Sequence, residues 1–184
     1  MPIHPESSDS VLHFWFDELQ PVQWWKIDPV LDQLIAARFG AVHAAAAQCE
    51  LAVWRNEPRG ALAEVIVLDQ FSRNIHRGEA GAFACDRMAL TLAQVAVARG
   101  FDQLLPVEQR AFLYLPYMHS ESALIHAEAL ALFSVPGLES NLRSELQHKT
   151  IVDRFGRYPH RNQILGRVST SEEIAFLAQP GSSF

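Results

Sequence analysis

The sequence predicts an all-α fold of about seven or eight helices, paired antiparallel and stacked in a right-handed array. Apolar residues recur at helical spacing along nearly the whole chain, and no convincing strand-like alternation is present. Prolines, glycines and capping residues divide the chain into helices of roughly 8–22 residues joined by short loops. We therefore expect a single all-helical domain over residues 1–184. No tetratricopeptide consensus recurs at a period of about 34 residues, so any repeat is degenerate.

The first two helices have recognisable starts. Asp9 or Ser10 can cap a short first helix through the segment LHFWFDEL. Asp28 followed by Pro29 combines an N-cap residue with a proline at the first helical position, where the missing N–H costs nothing. We expect this second helix to run to about Glu50.

Three helices are predicted in the middle of the chain. Pro58 begins one whose residues are apolar on nearly every side, which indicates a central, buried helix. The next helix ends at Gly100, a residue that readily adopts the left-handed conformation after a helix C-terminus. Pro106 begins a third helix, which Pro116 interrupts or kinks.

The last third of the chain contains three more predicted helices. One runs from Ser120 to Phe133, and the next runs from Leu138 to about Phe155, where Gly156 ends it. Thr170-x-x-Glu173 is a capping-box pattern before a final short helix.

Composition limits the classes of function that fit. The chain is 49% hydrophobic and 20% charged, which is typical of a globular protein. Its net charge of −6 argues against general binding of nucleic acid, although a local cationic pocket remains possible. No apolar run approaches a membrane span and the N-terminus is polar, so we expect a cytoplasmic protein with no membrane partner. Cys49 and Cys85 lack metal-ligand spacing and are expected to be small buried residues.

The segment HKTIVDRFGRYPHRNQILGRVST, residues 148–170, is the densest cluster of cationic and hydrogen-bonding residues. Its candidate ligand-binding residues are His148, Arg154, Arg157, Arg161 and Asn162, and His160 is a candidate acid–base residue. Arginine can hold a carboxylate or phosphate through two hydrogen bonds, and histidine can transfer a proton near neutral pH. The alternative is that these arginines bind helix carbonyls and acidic partners such as Asp69 or Glu121.

A second polar segment, DQFSRNIHRG, follows the predicted central helix. Asp69 and Arg73 share an apolar helical face, and desolvated charges need partners. They either form an internal salt bridge that fixes helix packing or line a polar cavity with Asn74 and Arg77 at its mouth.

His119 and Glu121 are candidate catalytic residues in a third polar segment, FLYLPYMHSE. His119 precedes a helix, where the chain can expose it to a pocket, although a capping or packing role is an equal alternative. Within the following helix the carboxylates and histidines do not share one face, and no Glu-x-x-His pair occurs. We therefore expect no metal, and the absence of nucleotide-binding and nucleophile motifs suggests no cofactor.

Several long motifs in order resemble one bacterial family, the one catalogued as domain of unknown function 924. They are VLHFWF, WWKIDPVLD, LDQFSRNIHRGEAGAFACD, FLYLPYMHSE and HKTIVDRFGRYPHRNQILGRVSTSEE, which together span roughly residues 11–177. The resemblance implies an all-helical, tetratricopeptide-like superhelical fold and no established activity, substrate or cofactor. The matching signature positions are Asp69, Gln70, Phe71, Arg73, Asn74, Arg77, His119, Ser120, Glu121, His148, Arg154, Gly156, Arg157, Pro159, His160, Arg161, Asn162, Leu165 and Gly166. His126 stands where the family is expected to carry glutamine.

Three functions are compatible with these residues. The preferred one is a pocket lined by arginine and histidine, formed by the three polar segments, that binds a small anionic metabolite or a peptide carboxylate. The second is an enzyme in which His119 or His160 acts as general acid–base and Glu121 orients it. The third is a helical-repeat interaction module with a groove lined by Trp24 or Trp54, in which the polar motifs are structural. The oligomeric state is left open.

Overall fold

A computed structural model of the chain describes residues 6–183, and within them every regular element is helical. The α-helices are α1 (Ser8–His13), α2 (Pro29–Ala47), α3 (Pro58–Ile66), α4 (Ser72–Ile75), α5 (Asp86–Ala98), α6 (Val107–Met118), α7 (Ala123–Phe133), α8 (Glu139–Phe155) and α9 (Ser171–Leu177). The predicted all-α fold class is therefore confirmed. The tetratricopeptide-like repeat arrangement stays a prediction.

Helix α1 starts earlier than the sequence predicted. Ser7 is the N-cap, and it forms a reciprocal capping box with Ser10, so the expected caps at Asp9 and Ser10 were wrong. The Ser10 amide donates to the Ser7 hydroxyl at 3.2 Å, while the Ser7 amide donates to the Ser10 hydroxyl at 2.8 Å. Each serine thus satisfies a donor that the helix start would otherwise leave free.

Helix α2 begins as predicted, because the Asp28 carboxylate accepts hydrogen bonds from the Val30 and Leu31 amides. It ends at Ala47, a turn before the predicted end. Cys49 lies beyond the helix with a left-handed φ of 61° and is exposed, so the prediction of a buried Cys49 was wrong. Cys85 is buried, as predicted.

Helix α3 is the predicted central helix, and every residue from Gly60 to Ile66 is buried. Its chain continues as a π-helical turn, Val67–Phe71, and then as α4. The wider turn of a π-helix shifts the side chains that follow relative to a regular helix, and such turns are frequent at functional sites. This turn carries Asp69 in the middle of the core.

The later helix boundaries agree closely with the sequence. Helix α6 passes through Pro116 without a break and ends at Met118, so the predicted interruption did not occur. Gly156 ends α8 with a φ of 67°, and the Thr170–Glu173 capping box begins α9.

One large apolar core joins α1, α2, α3, α5, α6 and α7. A smaller core of Ile151, Val152 and Tyr158 fixes the C-terminal segment on α8, with Phe155 and Phe176 packed against it. The three polar segments meet between these two cores. Among the helices of residues 6–183, none has the length and apolar content needed to span a membrane.

Candidate functional site

Three distant chain segments form one polar cluster between the two cores. His119, the C-cap of α6, places Nδ1 2.8 Å from Oδ1 of Asp69 in the π-helical turn. Arg161, in the short 3₁₀ turn Pro159–Arg161, places Nη1 3.1 Å from Oδ2 of Asp86 at the start of α5. Arg73 binds the same Asp86. We refer to Asp69, Arg73, Asp86, His119 and Arg161 as the polar cluster.

Asp69 is fully buried and ionised. Burial alone would raise the pKa of its carboxyl group, but the charge of Arg73 and the hydrogen bond with His119 hold that pKa well below its ordinary value. The Gln70 side-chain amide donates to Oδ2, and Arg73 donates to the Asp69 backbone carbonyl at 2.6 Å. Each carboxylate oxygen of Asp69 therefore has a donor, and only Oδ1 faces a histidine.

Arg73 pairs with two carboxylates rather than with Asp69 alone. Its Nη1 and Nη2 atoms lie 3.0 and 3.2 Å from the two oxygens of Asp86, while Nη1 is 3.4 Å from Oδ1 of Asp69. The predicted Asp69–Arg73 pair therefore exists, but the stronger bidentate partner is Asp86. Sequence reasoning missed Asp86, which looked like an ordinary acidic residue in the first turn of a helix.

Arg161 is only 5% exposed, and its guanidinium lies between two aromatic rings. Its central carbon is 4.6 Å from the ring centroids of both Phe83 and Tyr158. One hydrogen bond holds it, from Nη1 to Asp86, whereas Nε is buried and has no partner among residues 6–183. Burial, together with the nearby charge of Arg73, lowers the pKa of Arg161 because its positive charge is incompletely compensated.

His148 and His160 both pack against Tyr158, the ring beside the Arg161 guanidinium, at ring-centroid distances of 5.8 and 5.7 Å. These two histidines and His119 are neutral at pH 7. Burial is the main cause, and it lowers the pKa of His148 to about 3 and that of His160 to about 4. The pKa of His119 is also lowered by burial, despite the opposing charge of Asp69. The positive charge of Arg161 also lowers the pKa of both His148 and His160, and a protonated His119 acts in the same direction.

Four predicted ligand-binding residues lie elsewhere and are engaged with other carboxylates. Arg77 and Asn74 both bind Asp32 on α2, at distances of 2.6–2.8 Å. Arg154 binds Glu172 at 2.8 Å and Arg157 binds Glu173 at 2.6 Å, which connects the end of α8 to α9. The predicted alternative, in which the arginines of residues 148–170 bind acidic partners, therefore fits Arg154 and Arg157. It also fits Arg167, which binds Glu121, one of the two partners named.

Glu121 makes its hydrogen bonds to Arg167 and to the backbone of Tyr158. Its carboxylate accepts two hydrogen bonds from Arg167, at 2.7 and 2.9 Å, and one from the Tyr158 amide at 2.7 Å. The carboxylate that orients His119 is Asp69, which corrects the role expected for Glu121. The Asn162 side chain helps to hold Arg167 beside Glu121. Its Oδ1 accepts a hydrogen bond from Nε of Arg167, and its amide donates to the Ser169 hydroxyl.

His126 and Glu145 form a second buried pair that sequence reasoning missed. Their side chains are both fully buried, and Nδ1 of His126 lies 2.6 Å from Oε1 of Glu145. Nε2 of the same ring is 2.9 Å from the Ser120 carbonyl and 3.1 Å from the Tyr158 hydroxyl. The inward position of Glu145, one turn before His148 on α8, is the signal that could have revealed it.

Two surface depressions lie away from the polar cluster. One depression is lined by Trp54, Val53, Gly60 and Leu104, and a smaller one lies between Arg55, Glu64 and Phe101. Within the described part of the chain, no group of three or more histidine, cysteine, aspartate or glutamate side chains is arranged to hold a metal ion.

Comparison with known proteins identifies the family of this chain. Residues 11–181 match the family described as bacterial protein of unknown function (DUF924). A solved structure, that of the protein of unknown function ATU0120 from Agrobacterium tumefaciens, superposes with a TM-score of 0.89 at 37% sequence identity. The match covers 93% of this chain and 96% of that one. No curated protein matches the chain. The chain therefore belongs to the DUF924 family of bacterial proteins.

Proposed function

We propose that the protein binds a small anion at the free edge of the Arg161 guanidinium. A single observation carries the proposal, namely that Nε of this 5% exposed side chain has no partner among residues 6–183. Leaving a charged donor buried and unpaired costs free energy, and native proteins rarely do so without a functional reason. An anionic ligand oxygen satisfies this donor.

Other arginines of the same chain show what the Nε–Nη2 edge of a guanidinium usually binds. Arg55, Arg77 and Arg157 each direct Nε and Nη2 at the two oxygens of a carboxylate, at distances of 2.6–2.8 Å. Arg161 uses Nη1 for Asp86, which leaves its Nε–Nη2 edge for a carboxylate or phosphate from outside the chain. The rings of Phe83 and Tyr158 hold the guanidinium plane in place, so the edge has a fixed direction.

Binding can be measured by calorimetric titration with three probes, namely inorganic phosphate, succinate and an N-acetylated dipeptide with a free C-terminus. We expect at least one to bind the wild type, and the probe that binds distinguishes a phosphate from a metabolite or peptide carboxylate. Arg161→Met should weaken that binding at least about tenfold, which corresponds to about 1.4 kcal/mol.

Arg154→Met is the matched control, because Arg154 is an exposed arginine paired with Glu172 and lies outside the polar cluster. It should bind the probe as the wild type does. Absence of binding by all three probes, or equal affinity of wild type and Arg161→Met, would show that the proposal is wrong.

An acid–base enzyme is the second candidate, and the His119–Asp69 hydrogen bond of 2.8 Å favours it. A buried carboxylate that fixes one ring nitrogen of a histidine is the arrangement used to orient a general base. In this candidate His119 transfers the proton, Asp69 orients it and Arg161 holds the anionic substrate. His119→Gln would then abolish turnover of a substrate while binding persists.

A protein-interaction module is the third candidate. It is favoured by the surface groove beside Trp54, in which Val53 and Leu104 are more than two-thirds exposed. Trp24, the other tryptophan considered for such a groove, instead packs against Phe112 and donates to the Trp15 carbonyl. In this candidate Trp54→Ala, and not Arg161→Met, would abolish binding of the partner.

A further inference from the structure

We propose, on the basis of the anion site inferred above, that the Phe83 ring is a movable cover over the Arg161 guanidinium and controls the access of the anion. The ring lies at the end of the 3₁₀ turn Ala80–Phe83, with its centroid 4.6 Å from the central carbon of Arg161. An anion reaches the guanidinium when the ring turns away, and the ring then closes beside it. Arg161 binds the anion, and Phe83 determines when it can enter.

Tyr158, the other ring beside Arg161, is fixed in place. It is fully buried, belongs to the smaller apolar core and donates from its hydroxyl group to the Met118 carbonyl. Its ring also packs against the rings of His148 and His160. A ring held both by close packing and by its hydroxyl group cannot turn away without disrupting that core. Tyr158 is therefore the fixed inner wall of the site.

Phe83 lacks these anchors. It is half-buried, and both the next residue, Ala84, and residues 77–80 before it are exposed. Among residues 6–183, Phe83 belongs to neither apolar core. Its ring lies over two guanidinium groups, that of Arg161 and, at 5.8 Å, that of Arg73. A cation–π contact at a partly exposed position is weak, so the ring can change its rotamer without loss of core packing.

The cover accounts for a donor that is both unpaired and shielded from solvent. Arg161 is 5% exposed, and its Nε atom is buried without a partner among residues 6–183. Of the two rings beside it, Phe83 is the one that solvent reaches, so rotation of this ring exposes the guanidinium on that side. Asp86 and Tyr158 keep the guanidinium in place meanwhile. Closure over a bound anion then excludes water, which strengthens the ion pair.

Chemical labelling of the arginines tests the cover without any ligand. Phenylglyoxal reacts with accessible guanidinium groups, and mass spectrometry of proteolytic peptides gives the labelling rate at each arginine. We expect Arg161 to be labelled at least about tenfold faster in Phe83→Ala than in the wild type, because labelling no longer requires the ring to open first. Equal labelling rates of Arg161 in the two proteins would overturn this inference and leave the anion site standing.

Phe101→Ala is the matched control, since the Phe101 ring lies 4.2 Å from the Arg99 guanidinium, outside the polar cluster. It should leave the labelling rate of Arg161 unchanged. Arg55, which is paired with the buried Glu64, is the internal reference. A rise at Arg55 as large as that at Arg161 would show that Phe83→Ala loosens the whole fold, which contradicts a local cover.

Phe83→Leu serves where Phe83→Ala fails to fold, as judged by circular dichroism. Leucine covers less of the guanidinium than a phenyl ring does, so the labelling rate of Arg161 should again exceed that of the wild type. Equal rates in Phe83→Leu and the wild type would then overturn the inference.

Protection from labelling connects the cover with the anion site. Phosphate, succinate and the N-acetylated dipeptide are added in turn to Phe83→Ala during the reaction with phenylglyoxal. At least one should slow the labelling of Arg161 again, because the anion occupies the uncovered edge of the guanidinium. The labelling rate of Arg55 should not respond. Fast labelling of Arg161 that none of the three anions slows would overturn the anion site, and the role of Phe83 in its access with it.

Discussion

Arg73 and Arg161 share Asp86, yet they play opposite parts in the polar cluster. Arg73 compensates the buried carboxylate of Asp69 and the partly buried carboxylate of Asp86, with two hydrogen bonds to Asp86 and one to the Asp69 backbone carbonyl. Arg161 makes one hydrogen bond to a carboxylate that Arg73 already neutralises. Removing Arg73 leaves buried negative charge behind, whereas removing Arg161 relieves a buried positive charge.

This contrast predicts opposite effects of the same substitution on stability. Arg73→Met should lower the free energy of unfolding by about 3–5 kcal/mol, because it breaks a buried ion-pair network from one side. Arg161→Met should change it by less than about 1 kcal/mol or raise it, because methionine fills the space between Phe83 and Tyr158 without a desolvation cost. Urea unfolding of both variants measures the difference. A large loss in Arg161→Met would mean that Arg161 is structural, contrary to the proposed anion site.

At the scale of residues, the sequence identified which side chains are unusual but not which of them meet. Asp69 and Arg73 were recognised because charged residues on an apolar stripe need partners, and His119 because it precedes a helix where the chain can expose it. Asp86 was missed because its partners Arg73 and Arg161 lie 13 and 75 residues away on other elements, and no periodicity reveals such pairings. Which residues distant in sequence come into contact depends on how the helices pack, and local sequence patterns do not reveal that packing.

Glycines at two helix positions show how element packing constrains single residues. A Cβ atom on Gly60, near the start of α3, would lie 2.1 Å from the Trp54 carbonyl oxygen. A Cβ atom on Gly40, within α2, would meet nothing within 4 Å. The close approach of the preceding 3₁₀ turn to α3 therefore depends on Gly60, whereas Gly40 has no such role.

We accordingly expect opposite signs for the two glycine-to-alanine substitutions. Gly60→Ala should destabilise the protein by about 1–3 kcal/mol or more, since backbone atoms must move to accept the methyl group. Gly40→Ala should stabilise it by about 0.5–1 kcal/mol, because alanine loses less backbone entropy in a helix. Thermal unfolding monitored by circular dichroism separates them, and equal effects would show that the Gly60 contact is not rigid.

The His126–Glu145 pair fixes α7 against α8, so its loss should be costly. Glu145→Ala should lower the free energy of unfolding by about 3–5 kcal/mol, because it leaves a fully buried His126 without its partner at Nδ1. Glu128→Ala, at an exposed position of α7, is the control and should change stability by less than about 0.5 kcal/mol. Chemical denaturation measures both, and comparable small losses would contradict a structural role for the buried pair.

Helix starts were more predictable than helix interiors. Asp28, Pro58 and Thr170 mark starts that the structure confirms, because capping is a local property of a few residues. The π-helical turn at Val67–Phe71 was not predicted, since a periodicity of 3.6 residues assumes a regular helix. That turn carries Asp69, so the candidate site depends on the one feature of α3 that the sequence pattern did not show.

Across the whole molecule, polar contacts rather than apolar area hold much of the C-terminal segment in place. Arg161 binds Asp86, Arg167 binds Glu121, and the Tyr158 hydroxyl donates to the Met118 carbonyl. The apolar contribution comes from the small core around Tyr158. The stability of this segment should therefore respond to protonation, because its charged partners and its histidines lie at the same place.

Acid should destabilise the fold before its carboxylates titrate. An unfolded histidine has a pKa near 6.5, whereas folding lowers that of His148 to about 3 and that of His160 to about 4 and also lowers that of His43 and His119. Between these values the unfolded chain binds more protons than the folded one. The free energy of unfolding therefore levels off above about pH 7 and falls as the pH drops below about 6.5, by up to about 1.4 kcal/mol per pH unit for each histidine that stays neutral in the folded protein.

Urea unfolding at several pH values between about 7 and 5.5 tests this dependence, since carboxyl groups stay ionised over that range in the folded and in the unfolded chain. His160→Asn cannot be protonated there and should make the slope shallower by up to about 1 kcal/mol per pH unit. If the free energy of unfolding stays constant between about pH 7 and 5.5, His148 and His160 are protonated as easily in the folded protein as in water, and their burial does not disfavour the charged form.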